Sequence, residues 1–225
     1  MIKKIEILGL RLDNHTVREA MVQVDNYLSN DILNTIETVS MRTLLLAEED
    51  EIVRDVVSSM DMTVISEKEI IQAAGAVTMQ RVQETKANDF AIELFKRLER
   101  SKKSLFLLGE TQERISDVRE ALLEQFPKLI VTGMYALEHC TGDFEAVINE
   151  MNVTAPDVIV SVLPTPQQEH FLADHKEKIS ASIWYGAGEL EIPGKGRRGI
   201  RGLIKSRLHL ERLKNSMNKY KNHEG

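Results

Sequence analysis

Three side chains near the ends of two predicted strands have the types and spacing to act on a substrate hydroxyl group. Thr38 and Ser40 end one strand, and Glu67 follows the end of the next. A carboxylate at such an edge can act as a general base, while neighbouring hydroxyl groups position the substrate. Taken alone, however, these residues favour a structural interpretation, because Ser66 and Glu67 are also typical of a helix cap and an acidic first helical turn.

A second polar group follows a buried strand in the C-terminal half. The segment Asp157–Phe171 reads as strand Val158–Leu163, a polar turn and the start of a helix that carries Gln167, Gln168 and Glu169. Ligands of α/β proteins bind in the crevice beyond the carboxyl ends of parallel strands, where helix N-termini offer unpaired N–H groups. The sequence therefore predicts that these three side chains lie in a ligand-binding crevice.

Two glycine turns also follow predicted strands. Gly109 and Glu110 precede a helix that Thr111 can cap, and Gly186 and Gly188 follow the last predicted strand. Glycine at a strand end allows a phosphate or ribose to approach backbone amides, but it equally allows a tight turn. Because the full G-x-G-x-x-G pattern is absent, both interpretations stay open.

Several other chemistries lack their motifs. The histidines and the single cysteine, Cys140, do not show the spacing or carboxylate neighbours of a metal site. Neither a G-x-S-x-G nor a Walker sequence occurs. Tyr220 is the one aromatic residue in the basic C-terminal segment, which offers little base stacking. We therefore expect no metal, no cofactor and no nucleic-acid partner. Nucleic-acid binding through the basic C-terminal segment is kept only as the weakest alternative function.

Alternating strands and helices must position these groups. The N-terminal part predicts a strand over Lys4–Leu12 and a loop over Gln80–Asn88, which is also a candidate domain seam. Between them we expect two further strands, with helices after each strand. These elements are a helix from Val17 to Leu28, strand Asn34–Ser40, one or two helices over Met41–Val57, strand Met62–Ser66 and helix Lys68–Ala74.

The C-terminal half continues the alternation with helices of about ten to fifteen residues, which predicts βαβ units. We expect an α/β fold with mainly parallel sheets and flanking helices, Rossmann-like over residues 87–194. Residues 1–86 would form the N-terminal part of the same 1–194 domain. The predicted elements are helix Ala87–Glu99, strand Ser104–Leu108, helix Thr111–Gln125, strand Leu129–Gly133, helix Phe144–Met151, strand Asp157–Leu163, helix Pro166–Glu177 and strand Ala181–Gly186.

Charge is distributed unevenly along the chain. Residues 195–225 hold ten Lys/Arg against two Asp/Glu, although the net charge of the whole chain is −6. Apolar residues recur among these cations, which predicts a basic amphipathic helical appendage suited to an anionic partner or membrane surface. The stripe comprises Leu203, Ile204, Leu208, Leu213 and Met217. With neither a long apolar run nor a signal-peptide pattern, we expect a cytoplasmic protein.

The order of these segments resembles the WecG/TagA/CpsF family of bacterial glycosyltransferases. Ile5–Asp13 is similar to the family's opening strand, and Phe106–Gly109 to its central glycine-ended strand. Pro166-Gln167-Gln168-Glu169 resembles its P-x-Q-E segment, the most specific of the three motifs. The resemblance covers most of the chain and implies the family's fold.

The resemblance also suggests roles for individual residues. The family's T-x-N pattern falls on Thr38-Val39-Ser40, and its P-D-G falls on Ser66-Glu67-Lys68, which places Glu67 at the position of the proposed catalytic base. The family's G-V-G-G-x-F-D falls roughly on residues 186–189, and its T-G-x-D-L loop on residues 83–90, where Asp89 is the counterpart. Thr38, Gln168 and Glu169 match, whereas Ser40, Glu67 and Lys68 differ from the family's residues.

By this resemblance the chain is an inverting, metal-independent transferase for cell-envelope polysaccharide or teichoic acid synthesis. It would move an N-acetylmannosamine-like sugar from a UDP-sugar to a polyprenyl-diphosphate-linked acceptor. The basic tail would bind diphosphate and the inner face of the membrane, and the chain would form a homo-oligomer. The alternative is a nucleotide-sugar-binding or scaffolding relative with impaired catalysis. Implied binding residues are Gly109, Glu110, Pro166, Gln168, Glu169, Gly186, Gly188, Arg198, Arg201, Arg207 and Arg212.

Overall fold

A six-stranded parallel sheet organises the chain in the computed structural model, which describes residues 4–190 and 209–219. The strands are β1 Lys4–Ile7, β2 Leu10–Asp13, β3 Asn34–Val39, β4 Met62–Ile65, β5 Ser104–Gly109, β6 Ile130–Ala136, β7 Val158–Ser161 and β8 Ile183–Gly186. The sheet has the order β4-β3-β8-β7-β5-β6, and β1 pairs with β2 separately. The expected α/β architecture is thereby confirmed.

Helices connect the strands and cover both faces of the sheet. They are α1 Val17–Tyr27, α2 Met41–Glu49, α3 Glu51–Ser58, α4 Lys68–Ala73, α5 Met79–Ala87, α6 Asp89–Ser101, α7 Gln112–Gln125, α8 Glu145–Val153 and α9 Gln167–His175. Residues 209–219 form a further helix. Helices α1, α6 and α7 pack on one face, while α3, α8 and α9 pack on the other.

The opening segment is a hairpin, so the prediction of one strand over Lys4–Leu12 was wrong. Leu8 and Gly9 form its turn with φ values of 50° and 73°. Positive φ at both central residues is typical of the two-residue turns that join antiparallel strands. Strand β1 then pairs antiparallel with β2, from Lys4 opposite Asp13 to Ile7 opposite Leu10.

The predicted loop over Gln80–Asn88 was also wrong, since most of it forms α5. The hydroxyl of Thr78 accepts a hydrogen bond from the Arg81 backbone at 3.2 Å and so caps this helix. The Arg81 guanidinium is buried and lies 2.9 Å from the Glu84 carboxylate. The helix ends at Asn88, whose φ of 54° is left-handed. Capping and ion pairing thus form a helix that lacks a strong apolar face.

The two predicted parts of the main domain share one sheet. Strand β3 pairs on one side with β4 and on the other with β8, from Asn34 opposite Ile183 to Glu37 opposite Gly186. The last strand of the sheet in sequence therefore lies between β3 and β7. This register places the carboxyl ends of β3, β4, β7 and β8 at one edge, where ligands bind in folds of this type.

The 209–219 helix packs against the body of the protein. Leu213 has no exposed surface, and Leu210 and Met217 are partly buried beside it. These residues contact a cluster built from the β1–β2 hairpin, α2, α3 and α4. Leu213 and Met217 of the predicted apolar stripe therefore pack against the rest of the protein. Leu203, Ile204 and Leu208 of that stripe lie outside the described residues.

Candidate active site

The carboxyl ends of β3 and β4 bring the predicted catalytic residues to one edge. Thr38 lies opposite Val64 in the register, and the Ser66 backbone N–H donates to the Val39 carbonyl at 3.1 Å. The Ser66 hydroxyl donates to the same carbonyl at 3.0 Å. Both strands therefore stay paired up to their last residues, which sets the segments containing Ser40 and Glu67 side by side.

Glu67 contacts the first turn of α2. Its Oε1 accepts a hydrogen bond of 2.8 Å from the backbone N–H of Met41, the first residue of that helix. The positive end of a helix macrodipole favours a negative charge at this position. A backbone group thereby holds this carboxylate next to the end of β3.

Ser40 is the N-cap of α2. Its Oγ accepts from the Thr43 N–H at 3.1 Å and lies 3.0 Å from the Thr43 hydroxyl. The Thr43 hydroxyl in turn accepts from the Ser40 N–H at 3.3 Å, which completes a capping box. Ser40 therefore shapes the first turn of α2, and the next residue in that turn, Met41, donates its N–H to Glu67.

Thr38 projects to the opposite face of β3 from Glu37, as alternation along a strand requires. Its hydroxyl donates to the Tyr185 phenol oxygen at 3.1 Å. Tyr185 is buried, with Phe90 packed edge-on at 5.7 Å between ring centroids. Burial raises the pKa of Tyr185 to about 12, so the phenol stays protonated at neutral pH. Thr38 is thus fixed against an uncharged hydroxyl group.

Gln168 connects β3 with the turn after β8. Its Nε2 donates to Glu37 Oε1 at 2.7 Å, and its Oε1 accepts from the Gly188 N–H at 3.2 Å. The side chains of Gln168 and Glu37 are both buried, with 0% and 1% exposure. Gln168 lies at the predicted junction, but in this structure the protein itself provides its hydrogen-bond partners.

Glu169 is fully buried next to Gln168 in the first turn of α9. The Thr165 hydroxyl donates to its Oε1 at 2.8 Å, and the Thr43 hydroxyl lies 3.4 Å from Thr165. Burial raises the pKa of Glu169, although the hydrogen bond from Thr165 opposes that shift. Pro166, at the N-cap position of α9, links Thr165 to this helix. The P-x-Q-E segment thus joins α9 to α2 and β3.

Gly186 is required by packing against the Glu37 carboxyl. A Cβ added at Gly186 would lie 2.2 Å from Glu37 Oε2 and 2.7 Å from Gln168 Nε2. Gly188 has a φ of +56° and open space around it, which suits a left-handed turn. Its N–H is already bonded to Gln168. The two glycines therefore have different roles: Gly186 admits a carboxyl group and Gly188 forms the turn.

The glycine turn after β5 is packed against side chains of the protein itself, rather than left open for a phosphate. A Cβ at Gly109 would lie 2.3 Å from Ile115 Cγ2, so this glycine permits α7 to approach the strand. Glu110 is exposed. The N–H of Gln112, in the first turn of α7, donates to Glu138 Oε1 at 2.6 Å. A carboxylate of the protein thus takes the position at this helix N-terminus that an anion would take.

Two buried ionisable residues at this end of the sheet, Glu37 and Arg81, were missed by the sequence interpretation. Glu37 is the one ionisable residue in β3, Asn34–Val39, and a carboxyl group within a buried strand was the available signal. Arg81 has no such signal, because it lies in the segment expected to be a loop. Its Nε donates to Asn14 Oδ1 at 3.1 Å, while Glu84 Oε2 also accepts from the Val17 N–H at 3.2 Å. Arg81 and Glu84 thereby link α5 to the start of α1.

Other features of the described residues lie away from this edge. Two concave regions lie at the amino ends of the strands; Thr35 and Met60 line one, and Lys128 and Ile130 line the other. Within residues 4–190 and 209–219, no group of three or more His, Cys, Asp or Glu side chains is placed to hold a metal ion. The functional side chains, rather than the concave shape, therefore locate the candidate site.

The C-terminal segment is described in part. Arg212 is exposed on the 209–219 helix, whereas Arg198, Arg201 and Arg207 lie outside the described residues. None of the helices in the described part of the chain has both the length and the apolar character needed to cross a bilayer.

Comparison with known proteins gives a consistent result. The model of the "Glycosyl transferase WecG/TagA/CpsF family" matches residues 5–190. Two curated relatives from Staphylococcus aureus, strains NCTC 8325 / PS 47 and COL, are 21% identical over 194 residues, covering 84% of this chain and 75% of each relative. Strain MRSA252 has a relative with the same identity and coverage. Each is named N-acetylglucosaminyldiphosphoundecaprenol N-acetyl-beta-D-mannosaminyltransferase.

Proposed function

Because the chain belongs to the WecG/TagA/CpsF family of glycosyl transferases, we propose that it transfers an N-acetylmannosamine-like sugar from a UDP-sugar to N-acetylglucosaminyl-diphosphoundecaprenol or a closely similar acceptor. The family match over residues 5–190 carries this proposal. The names of these relatives supply the acceptor and the sugar. A binding protein without turnover is less favoured, because these relatives are all named as transferases.

We assign the role of general base to Glu67. Its carboxylate would take the proton of the acceptor hydroxyl as the hydroxyl oxygen forms a bond to the anomeric carbon of the donor. The bond from that carbon to the diphosphate oxygen breaks, and UDP leaves with the electron pair. Attack opposite the leaving group inverts the anomeric configuration. The 2.8 Å bond from the Met41 N–H supports this role, because it keeps the carboxylate at the strand edge.

We place the donor along the turns after β7 and β8. Thr38 and Ser40 flank the end of β3 next to Glu67, and Gln168 supports the turn at Gly188. Backbone amides at such turns can bind a diphosphate. Gln168 and Glu169 would act here by shaping the site, since both are fully buried.

We further propose that the basic C-terminal segment binds the diphosphate and the inner face of the membrane. Arginine suits this role because its guanidinium bonds phosphate oxygens in pairs. Arg212 is exposed next to the docked Leu213, so the helix presents cations outward while its apolar side faces the protein. Peripheral attachment, self-association and independence of metal ions remain parts of the proposal.

A transfer assay tests the proposed function. Purified protein is incubated with UDP-N-acetylmannosamine and N-acetylglucosaminyl-diphosphoundecaprenol, and both UDP and the lipid-linked disaccharide are quantified. We expect both products in equal amounts, the inverted anomeric linkage by NMR and unchanged rates in EDTA. Absence of the disaccharide with this donor and with UDP-N-acetylglucosamine would overturn the assignment. Inhibition by EDTA would overturn the metal-independent mechanism alone.

A further inference from the structure

The interior between β3 and α9 contains two neighbouring acidic side chains. Glu37 is 1% exposed and Glu169 is 0% exposed, and the charge of Glu169 raises the pKa of Glu37. Two ionised carboxylates buried this close together would repel each other without water to solvate them. One of the two groups is therefore a neutral acid in the folded protein.

The surrounding hydrogen bonds show which oxygens need that proton. Glu37 Oε1 accepts from Gln168, and Glu169 Oε1 accepts from Thr165. Among the described residues, no other group offers a donor to Glu37 Oε2 or Glu169 Oε2. A proton on Glu37 that is donated to Glu169 satisfies both buried oxygens, whose burial without a partner would be costly.

The chemistry of the neighbours agrees with a neutral Glu37. Burial and the charge of Glu169 both raise its pKa well above the usual range for a glutamic acid. The groups that interact with it are Gln168 and Glu169 on α9 and Tyr185 on β8. Next to them on α9, His170 interacts with Glu169 and bonds Asp50 at 2.8 Å. None of these neighbours provides Glu37 with a direct cationic partner.

The effect of Glu37 extends to the turn after β8. Glu37 fixes the amide of Gln168, and the other end of that amide accepts from the Gly188 N–H. The Glu37 carboxyl also fills the space that a side chain at position 186 would need. One buried acid thus sets the arrangement of Gln168, at the start of α9, and of Gly186 and Gly188, at and after the end of β8.

We propose that Glu37 is a positioning residue, a neutral buried acid that holds the Gln168 amide and thereby the Gly188 turn at the carboxyl edge of the sheet. The inference rests on the proposed function in placing that turn at the donor site. When Glu37 loses its proton, two buried negative charges face each other. The Gln168 amide and the Gly188 turn then lose their fixed arrangement, and donor binding weakens while the base, Glu67, is unaffected.

The test compares Glu37→Gln with Glu37→Ala. The glutamine side chain reproduces the neutral acid, because its oxygen accepts from Gln168 and its amide N–H donates to Glu169. Alanine removes both bonds. The first measurement is hydrogen exchange at the Gly188 amide, without substrate, from pH 6 to 9. We expect protection that falls in the wild type as pH rises, remains constant in Glu37→Gln, and is at least about tenfold lower in Glu37→Ala.

The second measurement is the KM for the UDP-sugar over the same pH range. We expect it to rise with pH in the wild type by about tenfold and to change by less than about twofold in Glu37→Gln. The inference is overturned if Glu37→Gln shows the wild-type pH dependence, or if Glu37→Ala leaves Gly188 exchange unchanged. Should Glu37→Ala not fold, the comparison of the wild type with Glu37→Gln decides alone. If hydrogen exchange at the Gly188 amide behaves as expected but no sugar transfer is detected, the proposed transferase activity is refuted and the positioning role of Glu37 stands.

Discussion

The Glu67 carboxylate accepts a 2.8 Å hydrogen bond from the backbone N–H of Met41, which joins the loop after β4 to the first turn of α2. This bond fixes a carboxylate at the edge where two parallel strands end. Geometry of this kind matters for a base, because a displacement of about 1 Å can reduce a rate roughly a hundredfold.

Replacing Glu67 by Gln is expected to reduce kcat of sugar transfer by about 10²- to 10⁴-fold, the usual contribution of a general base. Glutamine keeps an acceptor for the Met41 N–H, so the local structure should persist. Steady-state kinetics of UDP release measure the effect. Glu69→Gln is the matched control, since Glu69 is two residues away and pairs only loosely with Lys68, at 3.7 Å. Equal kcat in both variants would exclude Glu67 as the base.

Replacing Gly186 by Ala should destabilise the fold by about 1–3 kcal/mol through overpacking. The added Cβ would lie 2.2 Å from Glu37 Oε2, which is buried and has little freedom to move. Urea unfolding followed by circular dichroism gives the free energy. In a Glu37→Ala background the same substitution should cost less, because the carboxyl is gone. A cost that is the same in both backgrounds would show that the contact with Glu37 is not its cause.

The stability of the folded protein should decrease with rising pH above the unfolded-state pKa of glutamic acid, about 4.3. The folded pKa of Glu37 is raised, so between the two values the folded chain binds a proton that the unfolded chain lacks. The stabilisation is complete below the unfolded pKa and is lost up to the folded one, by at most about 1.4 kcal/mol per pH unit for one group.

Denaturant titrations at several pH values check this expectation. Glu37→Gln should give a flatter profile, because glutamine does not titrate, whereas the exposed Glu49→Gln should retain the wild-type slope. A Glu37→Gln profile as steep as that of the wild type would mean that Glu37 is already ionised at neutral pH.

Replacing Leu213 by Ala should release the 209–219 helix. The side chain is fully buried against the cluster formed by the hairpin, α2, α3 and α4. Loss of such a leucine costs about 2–5 kcal/mol. Limited proteolysis and mass spectrometry should then show faster cleavage within residues 209–219. The exposed neighbour Lys214→Ala provides the control. If both variants are cleaved at the wild-type rate, the helix is not held by this contact.

Replacing Arg212 by Ala should weaken binding to vesicles of anionic lipid by about fivefold, since one basic residue near a charged surface contributes about 1 kcal/mol. Co-sedimentation at low and high salt measures it, and the difference should shrink at high salt. Lys128→Ala, at the amino end of β6, is the control. An equal loss in both variants would indicate general charge attraction rather than docking through the C-terminal helix.

The sequence predicted the alternation of strands and helices well, because apolar periodicity determines which elements can cover a parallel sheet. It missed the β1–β2 hairpin for a specific reason: the two-residue turn at Leu8 and Gly9 joins two short strands that each alternate. It missed α5 because Thr78 and the Arg81–Glu84 pair stabilise that helix without a strong apolar stripe.

The candidate site was predictable in part for similar reasons. Parallel strands end at the same edge, so Ser40 and Glu67 could be expected to lie together. The contacts of Gln168 and Glu169 could not be expected, because they depend on Glu37, 131 residues before Gln168 in the chain. A single sequence does not show which distant strand will lie beside a given helix.

The position of β8 between β3 and β7 has a consequence for synthesis on the ribosome. Thr35 pairs with Trp184, so the first strand of the sheet has a neighbour that is translated after all the other strands of the sheet. Until Ile183–Gly186 leaves the ribosome, β3 and β7 have no partner between them, and the edge that carries Glu67 remains incomplete. Chains interrupted before this strand should therefore be targets for chaperones or proteases rather than partly active fragments.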